Sequence, residues 1–325
     1  MYNNCVKTLE INGLNLSFKL ESGIYPTLFD VSLSLKKGEI HALVGESGCG
    51  KTMTAMSIIR LLPKNAVITS GSIIYNNTNL LTASENEIRN LRGREISLIP
   101  QDPMTSLNPL YTIENQLLEV INKDKTLSKE DAKRKAKDVL DMVKIPNAQD
   151  KLDSYPHELS GGMKQRVIIA MALASNSKII IADEPTTALD VTIQAQIMKI
   201  LNDIKNEFGT SILLISHDLG LVGEYADEIS VMYSGHIVEN SSKTEFFTNI
   251  KHPYSKALME SLPANNTGSL LKTISGQPPN IQEKIEGCRF SPRCEIYDKT
   301  ICNNCPKLID IGNNHKVACC RTNNN

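Results

Sequence analysis

Alternation of apolar and polar positions marks the start of this chain. Leu14, Leu16 and Phe18 stand at every second position, and Val31, Leu33 and Leu35 repeat the pattern. Half-buried antiparallel strands produce that period. Between them, Glu21 to Pro26 reads as a turn. Ile40–Val44 is an apolar run leading into a helix-like stretch from Met53 to Leu62. Gly71–Tyr75 reads as a strand, and another from Arg94 runs into a loop punctuated by Pro100 and Pro103. From about Thr112 to Val143, charged residues at helical spacing continue without glycine or proline, as a helical insertion would. Lys178–Ala182 is a short apolar strand of the kind buried in a parallel sheet covered on both faces. An amphipathic helix is expected from Asp190 to about Phe208, then a strand over Ser211–Ile215. Two further strands, Glu228–Tyr233 and His236–Glu239, meet at Ser234-Gly235.

Composition narrows the class. With 325 residues the chain is long enough for one large domain and an appendage; 41% hydrophobic and 22% charged residues are ordinary for a globular protein. A net charge of −1 gives no reason to expect a nucleic-acid partner. No apolar run approaches the ~20 residues that cross a bilayer. Met1–Leu20 lacks the pattern of a secretory leader. Membrane association is therefore expected only through another subunit.

Chemistry concentrates first at Gly45-Glu46-Ser47-Gly48-Cys49-Gly50-Lys51-Thr52, between an apolar strand and a helix. Glycines let successive N–H groups turn inward around an anion, and the helix N-terminus adds its positive end. Lys51 is placed for β- and γ-phosphates and Thr52 for Mg²⁺. This stretch predicts binding of a nucleoside triphosphate. Ser160 precedes Gly161-Gly162 as a helix N-cap, which reads either as a second anion site or as a capped helix alone. Asp183 and Glu184 end a strand where ligands bind in parallel sheets: Asp183 suits Mg²⁺ and Glu184 suits activation of a water. His217 ends a strand in the same way. Tyr25 is the first choice to stack on an adenine ring, with Phe18 competing and a loop aromatic packed on the sheet as the alternative.

Of eight cysteines, Cys288, Cys294, Cys302, Cys305, Cys319 and Cys320 crowd the C-terminus. In a cytosolic chain such a cluster reads first as a metal site. Only Cys302-Asn303-Asn304-Cys305 has the short spacing of a zinc knuckle. Phe290, Pro292, Ile301 and Val317 offer apolar cover, against the alternative of free thiols; Thr322–Asn325 reads as a frayed tail.

In their order, the phosphate loop, Gln101, Leu159–Arg166, Asp183-Glu184, Asp190 and His217 resemble the ATP-binding subunits of ABC transporters, across roughly residues 5–250. The resemblance implies an α/β fold: a RecA-like P-loop NTPase core with an antiparallel β-subdomain and a helical subdomain at about 102–175. It also implies that two subunits sandwich two ATP molecules head to tail. Ser160, Gly161 and Gly162 would then meet the γ-phosphate of ATP held by the partner, and Asp190 would act across the interface. Gln101 would contact Mg²⁺ and water and sense the membrane subunit. His217 would hold the γ-phosphate and Glu184 would be the general base.

Gln101–Pro109, His252–Leu258, Gly276–Pro279 and Cys288–Cys294 are similar to the dipeptide/oligopeptide importer ATPases, making residues 251–325 a Cys-rich extension. That resemblance implies an iron–sulfur group, a four-iron–four-sulfur cluster on Cys288, Cys294, Cys302 and Cys319, with zinc as the alternative and Cys305 and Cys320 as possible substitutes. It further implies a heterodimer with a paralogous ATPase, two permease subunits and an extracytoplasmic substrate-binding protein, with this chain at the cytoplasmic face of the membrane. Nickel or another small solute is the alternative cargo. A soluble ABC ATPase and a metal or redox sensor are the alternatives of another class.

Overall fold

The computed structural model describes residues 7–187, 189–262, 274–283, 285–302 and 304–322. Cys5 and the Asn323–Asn325 end of the expected tail lie outside them. The chain forms two compact units. One comprises Met1–Lys36, Ile40–Ala83 and Ile215–Asn325, the other Lys37–Glu39 and Ser84–Leu214.

The first unit contains an antiparallel sheet in the order Gly23–Lys36, Lys7–Leu20, Ala66–Tyr75, Thr78–Asn79. Its register pairs Leu14 with Val31, Ile11 with Leu33 and Leu9 with Leu35, so the alternating apolar positions share the covered face. The turn is shorter than the sequence suggests. Ile24, Tyr25 and Pro26 continue the strand, because Gly23–Lys36 is the sheet edge, where a proline removes no ladder bond.

A second run of strands in this unit has the order Ile309–Asp310, Lys316–Val317, His236–Ser242, Glu228–Tyr233, Ile40–Val44. Ile40–Val44 is buried throughout and parallel to Glu228–Tyr233. Ser234 and Gly235 both have positive φ, 43° and 84°, as a two-residue primed hairpin turn requires. The helix after Gly50 covers only Lys51–Ile58. It closes in a Schellman motif, with Arg60 N–H on Ser57 O and Leu61 N–H on Met56 O. Arg60, not glycine, takes the left-handed position at φ 52°, so the stop carries no sequence signal.

The second unit orders Ser211–Ser216, Ile179–Asp183 and Ile96–Ile99, the last two parallel; Ile215 and Ser216 fall in the first unit. Its helices are Pro103–Ser106, Ile113–Ile121, Lys129–Met142, Ala148–Leu152, Gly161–Ala174 and Val191–Phe208, with a further helical turn at Glu85–Leu91. The charged stretch from 112 is therefore two helices, capped by Thr112 and Ser128. Asn122 makes the break: its side chain donates to Leu127 O at 3.0 Å and accepts from Leu127 N–H at 3.1 Å. In Lys129–Met142, the residues Ala132, Ala136, Val139 and Leu140 form the buried stripe. Gly209, at φ 63°, ends the long helix at Phe208 as expected.

Candidate functional site

Two glycines make the loop before Lys51 possible. Gly45 has φ 153°, and a Cβ there would lie 2.1 Å from Met232 O. Gly50 has φ 112°, and its Cβ would lie 2.6 Å from Leu28 Cδ2. Gly50 caps the Lys51–Ile58 helix with no side-chain acceptor and no acid in the first turn. The positive helix end is therefore left for an anion. Lys51, only 4% exposed, donates from Nζ to Gly45 O at 2.8 Å and Glu46 O at 3.0 Å. Its ammonium is thus fixed under the loop while Ser47 and Gly48 stay exposed above it. Thr52 is the second helical residue, as the motif requires. Cys49 is buried, which pushes its thiol up, and its carbonyl accepts the Gly235 N–H at 2.8 Å.

The loop has supports far along the chain. Glu46 N–H donates to Tyr254 Oη at 2.9 Å. Arg293 donates to both Glu46 carboxylate oxygens, at 2.7 and 2.9 Å. Neither contact is legible in sequence, since Tyr254 and Arg293 lie 208 and 247 residues away.

In the second unit, Asp183 is 1% exposed at the end of its strand. Glu184 follows at φ 46°, the left-handed region that a non-glycine residue adopts at a cost of ~1–3 kcal/mol. Its Oε2 accepts from Gln101 Nε2 at 3.0 Å and from Thr187 Oγ1 at 2.9 Å. Gln101 and Glu184 are thereby brought together across 83 residues. Thr187 was not anticipated; its only sequence signal is a hydroxyl three positions after the acid.

Ser160 Oγ accepts the Met163 N–H at 3.3 Å, so the expected cap is present, and no acid occupies the first turn of Gly161–Ala174. A Cβ on Gly162 would lie 2.9 Å from Ile193 Cγ2, which requires a glycine for packing. Asp190 accepts from Ile193 N–H at 3.0 Å and caps the neighbouring helix. His217 is exposed at the end of Ser211–Ser216. Tyr25 donates its hydroxyl to Ser22 O at 3.1 Å and pairs directly with Phe18 across the hairpin. The two aromatic candidates thus sit side by side.

Cys288, Cys294, Cys302, Cys319 and Cys320 line one narrow cleft, roofed by Phe290 and Tyr297. Burial raises Cys288 to about 11 and Cys320 to about 12. Cys305 lies 3.5 Å from His236 Nε2 and lines a neighbouring pocket together with Cys288 and Phe290. All six are unbridged, and among the described residues no three of their sulfurs lie within 4.8 Å of one another. One zinc ion with bonds of ~2.3 Å draws its thiolates closer than that. A larger inorganic core would space them wider.

Residues 28–187 match the ABC transporter family and residues 238–302 match the oligopeptide/dipeptide transporter C-terminal region. The oligopeptide transport ATP-binding protein OppD of Salmonella typhimurium is 44% identical over 96% of this chain and 92% of its own length. The dipeptide transport ATP-binding protein DppD of Bacillus subtilis is 44% identical over 89% of this chain and 87% of its own. Among solved structures, a dimeric ATP-binding cassette in a post-hydrolysis state with ADP and Pi matches at TM-score 0.65 and 26% identity, covering 72% of this chain and 98% of that one.

Proposed function

This chain belongs to the ABC transporter family of ATPases, and from that premise we propose that it powers uptake of di- and oligopeptides through a membrane permease. The observation that carries the reading is 44% identity to an oligopeptide transport ATP-binding protein along nearly the whole of both chains, C-terminal region included. Lys51 and the open helix end after Gly50 take the β- and γ-phosphates of ATP. Thr52, Gln101 and Asp183 would hold Mg²⁺, which would neutralise phosphate charge. Water attacks the γ-phosphorus and yields its proton to Glu184, whose carboxylate Gln101 and Thr187 orient, while the bond to the bridging oxygen breaks and ADP leaves with that oxygen. His217 steadies the γ-phosphate and Tyr25 stacks on adenine.

A paralogous ATPase completes the pair in this reading. Ser160, Gly161 and Gly162 then receive the γ-phosphate bound by that partner, and Asp190 acts across the interface. The permease docks on the second unit. There a cavity of about 480 Å³, lined by Pro100, Val120, Ile168 and Met171, opens near the loop after Gln101. Met104, Leu110 and Tyr111 expose apolar surface on that loop. Among the described residues no helix is long and apolar enough to cross a membrane; in this reading the chain attaches peripherally, through the permease, at the cytoplasmic face. Residues 1–250 act as the nucleotide-binding domain, with a helical subdomain at about 102–175, and 251–325 as the Cys-rich extension. Cys288, Cys294, Cys302 and Cys319 would hold a four-iron–four-sulfur cluster, whose iron–thiolate bonds would cross-link this extension to itself. Cys320 shares their cleft and is the substitute ligand.

The test is co-purification of the tagged chain with a permease, and peptide uptake in a deletion strain restored by this chain. Restoration by the parent but not by Lys51→Ala is expected. Full uptake without the chain overturns the proposal.

A further inference from the structure

The segment that carries Cys288 and Cys294 ends at the phosphate loop. Arg293 is 9% exposed, and its guanidinium forks onto both oxygens of Glu46, the second residue of that loop. Four further contacts keep the segment in place. Arg289 donates to Ser234 Oγ at 2.8 Å and lies over the Phe29 ring. Phe290 packs edge-on to Tyr233 with centroids 5.1 Å apart. Arg293 Nε also donates to Ser275 O at 2.9 Å. The Ser234-Gly235 turn gripped by Arg289 is the one whose Gly235 N–H holds Cys49 O.

Glu46 is consequently held at every polar atom. Tyr254 takes its N–H, Arg293 takes its carboxylate, and its carbonyl accepts both Lys51 Nζ at 3.0 Å and Cys49 N–H at 3.3 Å. Any shift of Glu46 moves the acceptor that fixes the lysine ammonium. An uncompensated carboxylate at this point also sets a negative charge beside a cradle built for polyphosphate. A bidentate guanidinium removes both effects together.

We propose that Arg293 is a positioning residue for nucleotide binding: it neutralises and anchors Glu46, so the C-terminal region sets the phosphate loop's affinity for ATP. The inference rests on the loop being the ATP site. It assigns the C-terminal residues a part in the nucleotide site itself, beyond any group their thiols hold. Electrostatics and geometry make separable demands. A partnerless Glu46 repels a ligand in proportion to its phosphate charge, whereas simple loosening of the fold weakens all nucleotides alike.

The experiment measures binding of ATP, ADP and AMP to the full-length chain for six proteins: parent, Lys51→Ala, Arg293→Ala, Arg293→Lys, Glu46→Gln, and the double variant Glu46→Gln/Arg293→Ala. Glu46→Gln alone is the reference for the last. Arg293→Ala is expected to weaken ATP about tenfold or more, and AMP much less, since a stranded carboxylate keeps its charge. Arg293→Lys keeps a charge without the fork and falls between. In the double variant, ATP affinity returns to within about threefold of Glu46→Gln, because no charge is left unpaired. Parent-like ATP binding by Arg293→Ala overturns the proposal. So does a double variant as weak as Arg293→Ala, or an equal loss for all three nucleotides. If Lys51→Ala retains ATP binding, the site assignment fails instead. Arg293→Lys keeps the test open should Arg293→Ala not fold.

Discussion

Replacement of Glu184 by glutamine separates binding from chemistry more sharply than any other change in the site. Glu184 Oε2 accepts two hydrogen bonds, from Gln101 at 3.0 Å and from Thr187 at 2.9 Å. An amide oxygen in the same place accepts both. The left-handed backbone at φ 46° suits glutamine no better and no worse than glutamate. Both of these hydrogen bonds survive, so folding stability should change by no more than about 1 kcal/mol. What disappears is the ability to take a proton from water. Loss of a positioned general base costs ~10²–10⁴-fold. At 1.36 kcal/mol for each factor of ten, that adds about 3–5 kcal/mol to the barrier. The assay is phosphate release by the assembled transporter, with the partner ATPase's site separately disabled and nucleotide affinity measured in parallel. Unchanged ATP affinity with turnover reduced at least a hundredfold is expected. Parental turnover would refute the base assignment. A matching collapse of ATP affinity would show that Glu184 acts in binding instead.

Three further outcomes are expected. Lys51→Ala should lose nucleotide binding by equilibrium titration, because it removes the ammonium under the phosphate cradle; Ser160→Arg should keep binding and abolish ATP-induced association with the partner by light scattering. Equal binding defects in both count against the two-subunit sandwich. Anaerobic purification followed by iron, sulfide and zinc analysis should find iron and sulfide, reduced by Cys294→Ser and not by Cys305→Ser; stoichiometric zinc without iron ends the cluster proposal. Burial holds His252 at about 3, and its Nδ1 accepts the Tyr254 N–H at 3.1 Å. The unfolded chain, with an ordinary histidine near 6.5, then binds the extra proton first, so stability is complete above about pH 6.5 and falls by up to ~1.4 kcal/mol per unit as pH drops towards 3. Urea midpoints by circular dichroism should follow that slope, and His252→Gln, which keeps an acceptor, should flatten it. An identical slope in the variant excludes His252 as its source.

Local patterns determined the chemistry of this protein. Glycines that admit positive φ, a lysine and a threonine at the helix start, two acids at the end of an apolar strand, and a serine before two glycines are short-range signals. Each acts within a few residues, so each is complete in the sequence. The alternation of Leu14, Leu16, Val31 and Leu35 specified the covered face of the N-terminal sheet for the same reason. Where a common residue performs an uncommon task, pattern fails: Arg60 ends a helix, Asn122 turns the chain between two helices, and Pro26 sits in a strand because that strand is an edge. What only the tertiary structure decided is who holds the site. Gln101 on Glu184, and Tyr254 and Arg293 on Glu46, depend on segments tens to hundreds of residues apart. Period and propensity describe a residue's own neighbourhood, and long-range partners exist only once the sheets have brought the strands together.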